Sequence, residues 1–320
     1  MKFIKDVIGT ELRIFEKKFA DAVSTDTPLL DRIMKYIIKR KGKQIRPMFV
    51  FLSAKLHGEV NESTYRAAGL VELLHTATLV HDDVVDESME RRGFFSINAI
   101  WKNKIAVLVG DYLLSKGLLL STSHNDFEQL HILSDAVRQM SEGELLQIEK
   151  SRKLNLDESV YFEIIKNKTA SLLSSACAAG AFSTSNDKII ADKMKSFGEK
   201  VGIAFQIKDD LFDYGNADIG KPTGNDIKEK KLTLPLIYTL NHVENNLRKK
   251  LIYLLKNKNK NPDSIKFVIS QVIESGGIRY AEEQMNTYRD EAMRILKSFE
   301  NVPARTALED LVRYTTDRKY

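Results

Sequence analysis

The sequence predicts an all-α protein, and three observations carry that prediction. Apolar residues recur at helical spacing along most of the 320 positions, while strand-like alternation is scarce. Helix starts and stops are punctuated by capping residues, proline and glycine at intervals that suit helices. No Pro/Ser/Gly-rich tract or low-complexity segment divides the chain, so 1–320 is expected to form a single all-helical domain, although length alone suggests about two.

The elements follow in order. Thr27-Pro28 starts a helix in the cap-then-proline manner, and it runs to the basic turn Lys39-Arg40-Lys41-Gly42-Lys43. A second helix covers about 47–57 and stops at Gly58. Asn61 or Ser63 caps a long helix that carries Leu70, Leu73, Leu74, Ala77 and the string Asp82-Asp83-Val84-Val85-Asp86, with Arg91-Arg92-Gly93 after its end. Further helices are expected over about 104–121, 126–150, 157–182 and 187–214. The last of these carries Asp209-Asp210-Leu211-Phe212-Asp213 and ends at Gly215. The stretch 216–231 is long for a connection in a helical domain and holds Lys221, Lys228, Lys230 and Lys231, so it reads as a lid. Four or so more helices complete the chain, with no internal repeat.

Composition excludes several classes. A hydrophobic content of 43% supports a large core, and 49 basic minus 44 acidic residues leave a net charge of +5 that is scattered along the chain. Nucleic-acid binding wants a concentrated basic stripe. The single cysteine, Cys177, lies among Ala and Ser as a core residue and excludes an internal disulfide or a cysteine zinc site. Residues 1–18 alternate apolar and charged types, unlike a signal peptide, and no uninterrupted run of eighteen apolar residues occurs. A soluble cytoplasmic protein without a membrane anchor is expected, transient membrane contact aside.

The two DDxxD strings carry the chemistry. Residues i and i+4 share a helical face, so Asp82 lies over Asp86 and Asp209 over Asp213. Like charges stacked in this way cost helix stability, and a hard divalent cation that takes carboxylate oxygens offsets the cost. Aspartate pairs also occur on solvated helix faces, but here Leu79, Val80, Val84 and Val85 surround the first motif. Ile203, Ala204, Phe205, Ile207, Leu211 and Phe212 surround the second. A carboxylate in an apolar wall needs a partner. Two such faces opposed across a cavity would hold Mg²⁺ and, through it, a polyphosphate.

Metal-bound phosphates leave charge for Lys and Arg to neutralise. Candidates sit beside helix ends: Lys43 and Arg46, Arg91 and Arg92, Lys168 with Thr169, and Lys221 and Lys231 at either end of the lid. His75 precedes Asp82 by seven residues, two helical turns, and shares its face; a satisfied core histidine is the competing reading.

Together Gly42-Lys43-Gln44-Ile45-Arg46-Pro47, His75, His81 through Glu87 with Arg91-Arg92-Gly93, Gly110-Asp111, Lys168-Thr169, Gln206 with Asp209 to Asp213, and Gly220-Lys221 resemble the trans-isoprenyl diphosphate synthases. The subgroup making long all-trans polyprenyl diphosphates for quinone side chains is the most similar. The resemblance runs from about residue 25 to the C-terminus.

It implies the isoprenoid synthase fold, a bundle of antiparallel helices around a deep central cavity, as a homodimer. It implies that Asp82, Asp86 and Asp209 bind Mg²⁺ bridging an allylic diphosphate, with Asp83, Asp210 and Asp213 completing the catalytic carboxylates. Arg91, Lys168, Thr169, Gln206, Lys221 and Lys231 would hold the allylic diphosphate; Lys43, Arg46, His75 and Arg92 would hold isopentenyl diphosphate. Ionisation of the allylic C–O bond, attack by the isopentenyl double bond and loss of a proton need no general base of the protein.

Product length is read from the approach to the first motif. Short-product relatives carry a bulky aromatic five residues before it, where this chain has Ala77; no aromatic occurs between Tyr65 and Asp82, roughly 25 Å of helix. Leu74, Ala77 and Thr78 are therefore expected to line an open tunnel, with a product longer than geranylgeranyl diphosphate, in the heptaprenyl to octaprenyl range. Three other readings compete. A phosphohydrolase is suggested by the His81-Asp82 doublet, but none of the six histidines is at i, i+4 from another. A terpene cyclase would not need Lys43, Arg46 and Arg92. A non-catalytic subunit would have no use for two intact motifs.

Overall fold

A computed structural model of the chain describes residues 2–40, 42–91, 93–153, 157–215 and 224–318. It is all-α apart from one two-stranded ribbon, and it contains two compact units, 1–137 with 175–195 and 299–308, and 138–174 with 196–298 and 309–320. The unit boundaries fall inside or beside helices, and Arg92 and Lys221 lie outside the described residues.

The first unit begins with α1 (Lys2–Ala22), α2 (Pro28–Lys39) and α3 (Ile45–Lys55), followed by α4 (Glu62–Val85) and α5 (Ile97–Thr122). Pro28 occupies the first turn of α2 after Thr27, as its fixed φ favours. α3 starts at Ile45, two residues before the expected position, because Gln44 turns the chain through the left-handed region (φ 53°). Asn61 and Thr64 form a reciprocal capping box that starts α4: Thr64 N–H donates to Asn61 Oδ1 (3.1 Å) and Asn61 N–H to Thr64 Oγ1 (3.3 Å).

Between α4 and α5 the chain forms an antiparallel ribbon, β1 (Glu90–Arg91) and β2 (Phe94–Phe95), with Arg91 opposite Phe94. Helical periodicity could not foresee it. Ser96 caps α5, and a first turn precedes a break at Lys102 (φ 72°), so the regular helix begins where the sequence placed it. Ile33, Met34, Leu73, Ala77, Val109 and Leu113 belong to one buried cluster that ties α2, α4 and α5 together. Gly110 lets α5 approach α4 closely: a Cβ there would lie 2.1 Å from His81 Nε2. Among the described residues α5 is the one helix long and apolar enough to cross a membrane by length and composition, although Lys104, Asp111 and Lys116 interrupt it.

α6 (Phe127–Lys153) carries the chain into the second unit. The expected single helix over 157–182 is instead α7 (Glu158–Ile165), a wide π turn at Lys166–Ala170 and α8 (Ser171–Ser185). Ala176, Cys177, Ala178, Ala179 and Ala181 of α8 are buried, and burial pushes the Cys177 thiol up to about 12. α9 (Lys188–Phe212) starts at Asp187, whose carboxylate accepts from Ile189 N–H (2.7 Å).

Beyond 223 the expected lid is not all loop, since Asn225–Lys228 forms a short helix, α10. α11 (Leu234–His242), α12 (Asn245–Asn257), α13 (Pro262–Glu274), α14 (Gly277–Lys297) and α15 (Pro303–Thr316) complete the chain. The second unit's core gathers Tyr161, Ile165, Ile207, Leu211, Leu236 and Leu251 among others. Gly202 brings α9 against the π turn, where a Cβ would lie 2.5 Å from the Ala170 Cα.

Candidate active site

The first motif ends α4. Asp86 N–H donates to the Asp82 carbonyl (2.8 Å), which continues the helical turn and keeps Asp82 and Asp86 on one face. Asp82 is half-buried and Asp86 exposed. Asp83, rotated about 100° away, is only 4% exposed and accepts from Arg91 Nε at 2.7 Å. Burial raises its pKa, the Arg91 guanidinium draws it back down, and the net direction is upward. Asn98 Nδ2 donates to the carbonyls of Asp83 and Ser88 (3.1 Å each), fixing the end of α4 to the start of α5. The second aspartate of the motif thus anchors the ribbon that carries Arg91, and the first and fifth remain accessible.

Arg46 Nη1 donates to His75 Nε2 at 2.9 Å, so His75 accepts there and carries its proton on Nδ1. The bond joins two residues the sequence assigned to one substrate. His75, Asp83 and Arg91 border a cavity of about 140 Å³ whose other walls include Phe19, Tyr36 and Leu79. Leu74 and Ala77 are buried, Ala77 within the α2–α4–α5 cluster, while Thr78 is half-buried and its hydroxyl donates to the His75 carbonyl (2.9 Å). His81 faces α5 rather than other histidines: its Nε2 lies 3.5 Å from Asp111 Oδ1. That contact does not help the phosphohydrolase reading.

The second unit assembles a polar chain around the π turn. Thr169 Oγ1 donates to Gln206 Oε1 (2.8 Å), Gln206 Nε2 donates to Asp210 Oδ1 (2.8 Å), and the Tyr161 hydroxyl donates to Asp210 Oδ2 (2.7 Å). Lys168 pairs with Glu144 and lies 3.4 Å from Gln147 Oε1. Lys168, Thr169, Gln206, Asp209, Asp226 and Lys231 line one cavity of about 320 Å³, together with Asp210 and Tyr161. Single π turns inside helices recur at functional positions.

Burial first, then Asp226, raises Asp210 to about 7 against the pull of Gln206 and Tyr161. Asp226 rises to about 6, chiefly by burial and by the Asp213 charge, with Lys231 opposing. Asp213 does not line the cavity. Its carboxylate accepts from the N–H groups of Asn225 (2.8 Å) and Asp226 (3.1 Å), and its carbonyl accepts from Gly224 N–H (3.0 Å), so it fastens α10 to the end of α9. Asp209 pairs with Arg318 from the end of the chain.

Sequence reasoning missed Tyr161, Asp226 and Arg318. Tyr161 is seven residues before Lys168, a spacing that could have flagged it. Asp226 sits in a polar stretch without periodicity, and nothing local marks Arg318.

The donor set suits Mg²⁺. It is all carboxylate oxygen, which a hard divalent cation takes. Among the described residues no three potential ligands converge into a protein cage. Mg²⁺ ordinarily takes one or two carboxylates and completes its shell with water and substrate phosphates.

Comparisons with known proteins give the family. The sequence profile of the polyprenyl synthetase family matches residues 27–272. The chain is 31% identical to heptaprenyl diphosphate synthase component 2 of Bacillus subtilis (strain 168), over 100% of this chain and 91% of that protein. It is 31% identical to octaprenyl diphosphate synthase of Escherichia coli (strain K12), over 98% of this chain and 96% of that one. A crystal structure of polyprenyl synthase from Caulobacter crescentus CB15, complexed with calcium and isoprenyl diphosphate, superposes with a TM-score of 0.92 at 32% identity, covering 100% of this chain and 98% of the other. The chain belongs to the polyprenyl synthetase family and is a prenyl-transferring enzyme.

Proposed function

We propose that the chain condenses isopentenyl diphosphate head-to-tail with an allylic diphosphate, in the presence of Mg²⁺, to make an all-trans polyprenyl diphosphate longer than geranylgeranyl diphosphate. A product in the heptaprenyl to octaprenyl range, destined for a quinone side chain, fits best. The observation that carries the reading is the cavity in which Lys168, Lys231 and Thr169 meet Asp209 and Asp226, since cations beside metal-binding carboxylates suit a diphosphate. The calcium and isoprenyl diphosphate of the Caulobacter structure support the ligand class.

Asp82 and Asp86 on α4, and Asp209 on α9, are the carboxylates that would hold Mg²⁺, and a bound Mg²⁺ would supply positive charge against a leaving diphosphate. Lys168 and Lys231 would donate to diphosphate oxygens as their charge grows, while the Thr169 hydroxyl, donating to Gln206, leaves its oxygen lone pairs on the cavity. Arg91, steadied by Asp83, is assigned to the same group; Arg46, oriented by its bond to His75, and Lys43 are assigned to isopentenyl diphosphate. The allylic C–O bond breaks, the isopentenyl double bond forms the new C–C bond, and the proton lost from that unit passes to the departing diphosphate.

A homodimer is proposed on the outer face of α5, where Leu108, Leu118 and Leu119 are each about half exposed, more apolar surface than a lone helix leaves to water. The Bacillus relative is described as one component of a synthase, so a second chain is the alternative partner. Both are tested together. Purified protein is incubated with Mg²⁺, farnesyl diphosphate and labelled isopentenyl diphosphate, and products are sized by mass after dephosphorylation, with EDTA as control and light scattering for assembly. A Mg²⁺-dependent ladder from a dimer supports the proposal; no incorporation by folded protein points to the second chain.

A further inference from the structure

We propose that Arg318 is a positioning residue for the second aspartate motif: an internal counter-ion that holds the Asp209 carboxylate until a divalent metal ion takes it. The inference rests on the proposed metal role of Asp209.

The cradle suits a cation that stacks on ring faces. Phe205, Asp209 and Phe212 stand at i−4, i and i+3 on α9 and so share one face. Arg318 pairs with Asp209, and its guanidinium carbon lies 4.3 Å from the centre of the Phe205 ring and 5.2 Å from that of Phe212. The approach is fixed from behind. Asp317 accepts from Thr316 Oγ1 (3.2 Å), lies 3.5 Å from Arg289 Nη1 on α14, and donates its N–H to the Arg313 carbonyl (2.7 Å).

The grip is incomplete in an informative way. The Arg318 Nε–H is buried without an acceptor. The guanidinium is therefore held by charge and by ring faces rather than by a full fork of hydrogen bonds. A contact of that kind is one a divalent cation on the same carboxylate can displace, because the ion's charge repels the guanidinium and outweighs a single hydrogen bond. Asp209 also lines the cavity that holds Lys168, Lys231 and Asp226, so the carboxylate is reachable from that side. Without metal, Arg318 offsets the Asp209 charge beside the carboxylates of Asp210 and Asp226. With metal, the end of the chain is released.

The test uses Mn²⁺ alone as probe, with the full chain and no substrate. Free Mn²⁺ is titrated by electron paramagnetic resonance against wild type, Asp209→Asn and Arg318→Gln. Hydrogen exchange of the C-terminal peptide is followed in wild type with and without Mn²⁺. Loss of the competing cation should tighten Mn²⁺ binding in Arg318→Gln by roughly three- to tenfold, in the range of a partly exposed charge pair. Mn²⁺ should speed exchange over the last turn of α15 in wild type, a result that needs no variant to fold. If Asp209→Asn binds Mn²⁺ like wild type, the metal role of Asp209 fails. If Asp209→Asn is weakened but Arg318→Gln is unchanged or weaker, and the terminal exchange does not respond, the counter-ion role of Arg318 is overturned while the metal role stands.

Discussion

The Tyr161 hydroxyl donates to Asp210 Oδ2 over 2.7 Å in the buried core of the second unit, and through Gln206 that contact reaches Thr169 on the π turn. Four side chains from three stretches of sequence therefore share one arrangement. Asp210 is the second carboxylate of its motif and only 6% exposed, so it serves the site by holding its neighbours. Tyr161→Phe removes the donor and leaves a buried oxygen with no protein partner from that side, which costs about 1–3 kcal/mol. Chemical denaturation should show that loss. Because Thr169 and Gln206 shift with Asp210, kcat should fall by about ten- to a hundredfold, with a smaller change in KM. A variant that loses stability yet keeps kcat would reduce Tyr161 to a core residue.

The close approach of α4 and α5 is the second point of control over the first motif. Gly110 faces His81, the residue before Asp82, and a Cβ would come within 2.1 Å of its ring. Gly110→Ala should gain about 1 kcal/mol in helix propensity but lose more to the clash, for a net cost of about 1–3 kcal/mol. The double variant with His81→Ala should recover most of that cost, and a double-mutant cycle in urea measures the coupling. Additive effects would mean that the helices part without consequence.

His57 makes the pH dependence of the first unit visible. Its Nδ1 lies 2.8 Å from the Ser53 carbonyl, and its ring packs edge-on against Phe299 with centroids 4.9 Å apart. Burial lowers its pKa below 6.5, the Ser53 bond opposes this, and Lys193 adds to the lowering. The folded state thus binds fewer protons than the unfolded state just below 6.5. Its contribution is complete above that pH and is lost as pH falls through the window beneath it. Urea midpoints should drop between about pH 7 and about pH 5, and His57→Gln should flatten that drop. An unchanged slope in the variant would assign the drop to other groups.

Caps and motifs were legible because their signals are local. Thr27-Pro28, Asn61 and Asp187 start the helices that the sequence placed beside them, and the i, i+4 rule puts Asp82 and Asp86 on one face. The same geometry, applied one residue on, explains why Asp83 and Asp210 turn inward. What the sequence hid depends on distant partners. Asp213 leaves the expected face because the N–H groups of Asn225 and Asp226 take its carboxylate. Arg318 reaches Asp209 across 109 positions. The π turn at Lys166–Ala170 and the break at Lys102 leave the apolar rhythm of their helices intact, so periodicity reads straight through them.

Ala77 is where product length and packing meet. It is fully buried beside Leu73, Val80, Val109 and Leu113, so it packs within the α4–α5 cluster instead of facing the open tunnel expected of it, and an aromatic ring there must displace its neighbours. Ala77→Phe should therefore have two effects. Overpacking should cost about 1–3 kcal/mol, seen as a lower urea midpoint. The displaced ring, or the side chains it moves, should intrude on the path of a growing prenyl chain beneath the first motif and shift the product ladder toward shorter species. Ala77→Leu, a smaller insertion, should give an intermediate loss of stability and an intermediate ladder. Mass analysis of the dephosphorylated products decides the matter. A destabilised enzyme that still ends its ladder at the wild-type length would remove Ala77 from the walls that set product length and leave it as a packing residue between α4 and α5.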